Sequence, residues 1–323
     1  MIDNTSPDAF SQPPLPEPAP PQRSRWQLFL DFPITKIVLY LLLFAAIAAP
    51  LFFGLFGVLR LMHHRHGQNL VVLATLAEGL TAAGELLAFW IMVRFADKRP
   101  WATAGYTRQG LVSRLLGGFA IGAAMLSTGI LVFRLLGVYH VTALVPSVLV
   151  LVPLGLYFFV ALSEETLFRG YVFQTLEGRW GSGVALVTTS VLFGLAHLGN
   201  PVPGASHWMR VAGPLQICFE AGLPMGAAYL LTRKLWLPIG IHWAWDYFEG
   251  PIYGCTDSGN HDPHTLLHAT LSGPALLTGG PFGPEAGLVF LAVGTLTGVL
   301  LLRAAVRRGQ WLPRPRRAKI TSA

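Results

Sequence analysis

The sequence predicts an all-α polytopic membrane protein with about eight transmembrane helices and both termini in the cytoplasm. Three observations predict this. Of 323 residues, 53% are hydrophobic and 12% charged, about half the charge of a typical soluble domain. The apolar residues fall in blocks of roughly 18–25, the length that spans a bilayer as a helix. The positive charge is distributed unevenly between the blocks.

The blocks lie at 36–59, 70–95, 112–138, 145 to about 176, 184–198, 215–232, 236–248 and 286–302. The seventh is short and carries His and Asp. If the chain zigzags through all eight, 18 of its 23 Lys and Arg fall on one side, and Arg60, Arg65, Arg134 and Arg210 on the other. The positive-inside rule then places both termini in the cytoplasm, which needs an even number of spans. The net charge of +7 is thus topological, and the basic tail at 305–323 reads as an anchor on anionic lipid, not a nucleic-acid site.

Residues 1–34 read as a disordered, Pro-rich cytoplasmic tail, with seven prolines between positions 7 and 21. Their polarity does not match a secretory signal. Residues 35–304 form one membrane domain. The 99–110 stretch reads as a cytoplasmic loop, 199–213 as an outer loop, and 250–284 as a long outer segment without Lys or Arg. Cys218 and Cys255 both fall towards the outer face, a compartment that permits a disulfide, but they form no spacing motif. His261, His264 and His268, with Cys255, are metal-ligand types in a Gly- and Pro-rich loop, and read as incidental polarity.

An ionisable residue inside a span is costly and marks a functional site by default. Three clusters stand out: Glu164, Glu165 and Arg169 in "LSEETLFRGYVF"; His197 in "FGLAHLGN"; and His242 with Asp246 in "IGIHWAWDYF". Glu165 and Arg169 are four residues apart and share a helix face, so they pair. Glu164 points about 100° away without that partner and is left for chemistry. Taken alone, the cluster also fits a salt bridge at a helix end. Gly178 to Gly181 reads as a turn between two helices. Glu164 and His197 are each about sixteen residues from its centre, roughly 24 Å deep and side by side. Counted from Arg233 and Lys234, His242 comes out shallower by about 10 Å.

The ordered set Glu-Glu-x-x-x-Arg (Glu164, Glu165, Arg169), Phe-x-x-x-His (Phe193, His197) and His-x-x-x-Asn/Asp (His242, Asp246) resembles the CPBP family. This family comprises CAAX prenyl endopeptidases and bacteriocin-processing proteins, and is also called Abi. "GGPFGPEAGL" before the last span is similar to a stretch in many bacterial members. The resemblance implies a membrane-embedded protease domain with a motif core at about 145–250. It implies an endopeptidase of the cell (inner) membrane, acting on CAAX-type or other membrane-associated peptides or lipidated proteins. By position, Glu164 and His197 hold and activate water, His242 and Asp246 stabilise the oxyanion, and Glu165, Arg169 and Phe193 support the site.

Asp246 departs from the family's more usual Asn. An ionised Asp only accepts hydrogen bonds, so it serves an oxyanion if protonated, or else orients His242. The cofactor is either none or zinc. There is no His-Glu-x-x-His motif, yet Glu164, His197 and His242 offer three zinc ligands. Metal-free, glutamate-activated water is the favoured mechanism. Two alternatives use the same residues: a proton- or ion-coupled transporter, disfavoured by the lack of a repeat, and a non-catalytic scaffold or bacteriocin-immunity factor.

Overall fold

Proline carries no N–H to orphan at the start of a helix, and Pro33 and Pro153 each open a long one. The computed structural model describes residues 24–63, 70–200 and 202–314. Its helices are α1 (Arg25–Leu30), α2 (Pro33–His63), α3 (Leu70–Ile91), α4 (Leu111–Leu135), α5 (Pro153–Glu165), α6 (Phe173–Ala196), α7 (His207–Ile217), α8 (Leu223–Thr232), α9 (Trp236–Tyr247), α10 (Ala275–Thr278) and α11 (Leu288–Arg307). Four π-helical stretches extend or join them: Met92–Ala96 after α3, Thr166–Val172 between α5 and α6, Cys218–Gly222 between α7 and α8, and Phe248–Ile252 after α9.

Among the described residues, five stretches are long and apolar enough to cross a membrane: Pro33–Leu51, Val71–Ala96, Leu111–Leu135, Val148–Gly199 and Leu288–Arg307. The protein is therefore a helical, multi-pass membrane protein. At 52 residues, Val148–Gly199 is too long for one crossing. It breaks at Gly181, whose φ of 81° suits a residue without Cβ. Phe168 and Phe193, on either side of that break, meet edge to face with centroids 5.1 Å apart, so the chain doubles back. The turn expected at 178–181 is there.

Glycine also sets the packing of α4 on α9. A Cβ on Gly118 would lie 2.3 Å from the Leu237 carbonyl oxygen, and one on Gly240 would lie 2.2 Å from that of Leu115. Backbones touch directly, as small residues allow between membrane helices. One core gathers Phe173, Leu176, Tyr229, Leu230 and Ile239 between α6, α8 and α9. A second gathers Phe133, Trp245 and Phe290 between α4, α9 and α11.

The fold is helical, as expected, with one short strand pair added, and several finer expectations are corrected. Strand β1 (Tyr139–Leu144) pairs antiparallel with β2 (Leu267–Leu271) of the 250–284 stretch, with an irregularity between Val141 and Ala143. Gly137 at φ 66° ends the preceding helix, and β-branched Val141 and Thr142 suit the strand. The fourth block accordingly starts its helix at Pro153, not 145. The outer loop expected at 199–213 is already helical from His207. In the expected tail, Ser24 caps α1 reciprocally with Gln27; residues 1–23 lie outside the described residues. The expected basic tail starts docked: Ser182 N–H donates to the Leu312 carbonyl at 2.9 Å. Residues 315–323 and Arg65 lie outside the described residues. Cys218 and Cys255 are both buried free thiols.

Candidate active site

A carboxylate that leaves water needs a partner, and this need organises the site. Glu165 and Arg169 are fully buried, with Arg169 Nη1 2.8 Å from Glu165 Oε1. Arg169 Nη2 also donates to the Gly222 carbonyl at 3.2 Å. Its guanidinium lies over the Phe193 ring, 4.4 Å from the centroid. Phe193 thereby holds a cation between the two arms of the hairpin.

Glu165 has a second partner that its spacing with Arg169 does not announce. His242 Nδ1 lies 3.0 Å from the same Oε1. The imidazole thus donates from Nδ1 and turns Nε2 towards Glu164 Oε2 at 3.9 Å and Asp246 Oδ2 at 3.5 Å. On the other arm, His197 closes α6 and its Nδ1 donates to the Phe193 carbonyl at 2.8 Å, which leaves its Nε2 unengaged by that bond. Glu164, Phe193, His197, His242 and Asp246 all line one cavity of about 780 Å³.

The structure thus brings together all four residues assigned to chemistry. It also removes the depth mismatch of His242. His242 is level with the Glu-Glu pair, since its Nδ1 lies 3.0 Å from Glu165 Oε1, although Arg233 before α9 pairs with Glu177 beside the hairpin turn. The π-helical stretch Thr166–Val172 contributes to this, since its wider turns advance less per residue.

Sequence reasoning passed over other acids. Glu78, Asp257, Asp262 and Glu285 line the same cavity, and Glu85, Glu220 and Glu249 are buried nearby or elsewhere in the bundle. The rule that flagged Glu164 applies equally to Glu78, Glu85 and Glu220, each an acid in an apolar block. Asp257 lies in the 250–284 stretch and Glu285 just after it, outside the apolar blocks, and neither carried such a signal. Outside the spans, burial raises the Asp257 and Asp262 carboxyls above their ordinary range. Burial, with Asp257 beside it, pushes Glu285 up to about 8; Ser258 Oγ donates to it.

The loop histidines are not gathered into a ligand set among the described residues. Instead Glu249, Asp257 and Glu285 place ligand oxygens within 4.8 Å of one another; Glu164, His197 and His242 are not drawn that close. Their chemistry nevertheless fits zinc. Each histidine anchors Nδ1 on a carbonyl or carboxylate and keeps Nε2 for other use, as zinc-bound histidines do.

Residues 145–248 match the family model described as Type II CAAX prenyl endopeptidase Rce1-like. No curated protein matches the chain, and no solved structure does. The resemblance to the CPBP family is borne out over the matched residues, which hold both arms of the hairpin and α9.

Proposed function

Taking membership of the type II CAAX prenyl endopeptidase family over residues 145–248 as premise, we propose that the chain is an intramembrane endopeptidase that hydrolyses membrane-associated peptides with a water activated by Glu164 and His197. The observation that carries this is the convergence of Glu164, His197, His242 and Asp246, from both hairpin arms and α9, on one cavity.

Glu164 takes a proton from water as its oxygen attacks the scissile carbonyl carbon, with His197 holding that water. The Glu164 proton later passes to the leaving amine as the C–N bond breaks, so atoms and charge balance. His242, protonated on both ring nitrogens, donates Nε2–H to the developing oxyanion and Nδ1–H to Glu165, which positions the ring. Asp246, 3.5 Å from Nε2, orients the ring. Were zinc bound, Glu164, His197 and His242 would hold it, and it would supply Lewis-acid polarisation of the carbonyl.

The topology we infer has eight crossings: α2, α3, α4, the two arms of the hairpin, the continuous α7–α8 helix, α9 with its π-helical end, and α11. Asp97 pairs with Lys36 and Arg99, and Glu177 pairs with Arg233, at what this topology makes the cytoplasmic end. The host is the cell (inner) membrane. Hydrolysis is tested in H₂¹⁸O with purified protein and a panel of farnesylated CAAX and unlipidated membrane peptides. One solvent oxygen is expected in each new carboxylate. Ion flux that depends on Glu164, with no cleavage, contradicts the reading in favour of a transporter.

A further inference from the structure

Burying a carboxylate without a partner is costly, and two glutamates are buried in that state. Among the described residues, only Glu220 and Glu249 have both carboxylate oxygens buried without a hydrogen-bond partner. Both residues are 0% exposed. Glu249 lies on the π-helical stretch after α9, and Glu220 on the one between α7 and α8.

Glu249 is aimed at two further acids. It offers an oxygen within 4.8 Å of one on Asp257 and one on Glu285, and those two are as close to each other. Glu285 and Asp257 are the strongest charges acting on Glu249, and Glu220 is within electrostatic reach of all three. The chain closes tightly around this point. Cys255 N–H donates to the Glu249 carbonyl at 2.9 Å, and Gly259 N–H to the Phe282 carbonyl at 2.7 Å. These bonds tie the 255–260 loop to the end of α9 and to the turn before α11. Gly283 has a φ of 122°, which disfavours a side chain. A Cβ there would lie 2.1 Å from the Thr256 carbonyl oxygen and 3.5 Å from Glu249 Oε1. Glycine thus lets the segments close on the carboxylates, with a backbone carbonyl beside them.

A set made of oxygen ligands alone suits a hard cation. Two ligands of one calcium ion, at about 2.3–2.6 Å each, stand at most about 4.6–5.2 Å apart. Oxygens within 4.8 Å of one another meet that condition. Magnesium keeps several waters and takes one or two carboxylates, whereas three carboxylates converge here. We propose that Glu249, Asp257 and Glu285 hold one calcium ion, which staples the 255–260 loop and the start of α11 to the end of α9. Asp257 and Glu285 also line the catalytic cavity, and Glu249 does not. The ion therefore fixes two residues of the cavity's lining, and its ligand set includes none of the four residues assigned to chemistry.

The test uses the full-length protein in detergent, stripped with EDTA and exchanged into metal-free buffer at about pH 8, where calcium competes with fewer protons. Equilibrium dialysis with ⁴⁵Ca is expected to give one ion per chain. Tm is expected to rise by about 5 °C at a calcium concentration of about 100 Kd, and by less with magnesium. Glu249→Gln keeps the shape and is expected to lose both the ion and the rise. Asp257→Asn, at a half-buried residue, is expected to weaken Kd by about 10–100-fold, and it carries the comparison if Glu249→Gln does not fold. Wild type that binds no ⁴⁵Ca and keeps its Tm overturns the inference, with protons neutralising the carboxylates instead. Calcium bound as tightly by the variants as by wild type overturns it too. So does a rise in Tm with zinc and none with calcium, which assigns the ion to the histidines. No arm reads peptide cleavage, so failure of the protease reading leaves this result standing.

Discussion

Glu165 Oε1 stands 3.0 Å from His242 Nδ1, so the second glutamate of the Glu-Glu pair holds the histidine of a helix 77 residues away. The same oxygen takes Arg169 Nη1 at 2.8 Å. Glu165 is therefore the residue through which α5, the π-helical stretch after it and α9 are fixed to one another.

Glu165→Gln keeps the shape but loses the charge that orients His242. The expected result is a fall of about 10–100-fold in kcat with KM little changed, the scale of losing an orienting partner. Glu165→Ala also strands the buried Arg169 cation and is expected to destabilise by about 3–5 kcal/mol, read as a lowered Tm in detergent. A fall in Tm without a fall in kcat contradicts the orienting role.

Asp246→Asn restores the residue more usual in the family. Activity within about tenfold of wild type is expected, because either side chain offers an oxygen to His242 Nε2. Asp246→Ala leaves His242 unsupported and is expected to cost about 10–100-fold. Equal rates for the Ala variant and wild type place Asp246 outside the machinery.

Gly240→Ala tests how α9 is positioned. The added Cβ meets the Leu115 carbonyl oxygen at 2.2 Å, which pushes α9, and His242 two residues on, away from α4. Overpacking of this kind costs about 1–3 kcal/mol. A lower Tm together with lower activity is expected; wild-type behaviour in both shows that α4 does not set the position of His242.

In metal-free buffer, stability is expected to fall as pH rises from about 5 to about 8. Burial, with Asp257 beside it, raises Glu285 to about 8, so over this range the folded chain keeps a proton that the unfolded chain has released. Tm in detergent, followed across that range, checks this, and a flat Tm contradicts it.

Much of the site was legible because its residues break an apolar pattern. Glu164, Glu165, Arg169, His197, His242 and Asp246 each stand out as a polar residue in a span, and Gly181 gave the hairpin that sets Glu164 and His197 at one depth. The shared use of Glu165 was not legible, because it depends on α9 approaching from a distant part of the chain. The level of His242 relative to Glu164 was misjudged because the helix after Glu165 is π-helical over Thr166–Val172, which counting ideal turns does not include. The β1–β2 pair was hidden by the apolar Val138 and Val145 flanking it, which read as the ends of helices. Glu78 and Glu220 were legible by the same rule as Glu164 and were passed over because neither carries a motif.

The central claim is that Glu164 activates the attacking water. Its most direct test is the cleavage rate of Glu164→Gln beside wild type, at saturating peptide, with matched Tm and matched peptide affinity. A loss of about a hundredfold or more is predicted. A Glu164→Gln protein that cleaves at the wild-type rate contradicts the account.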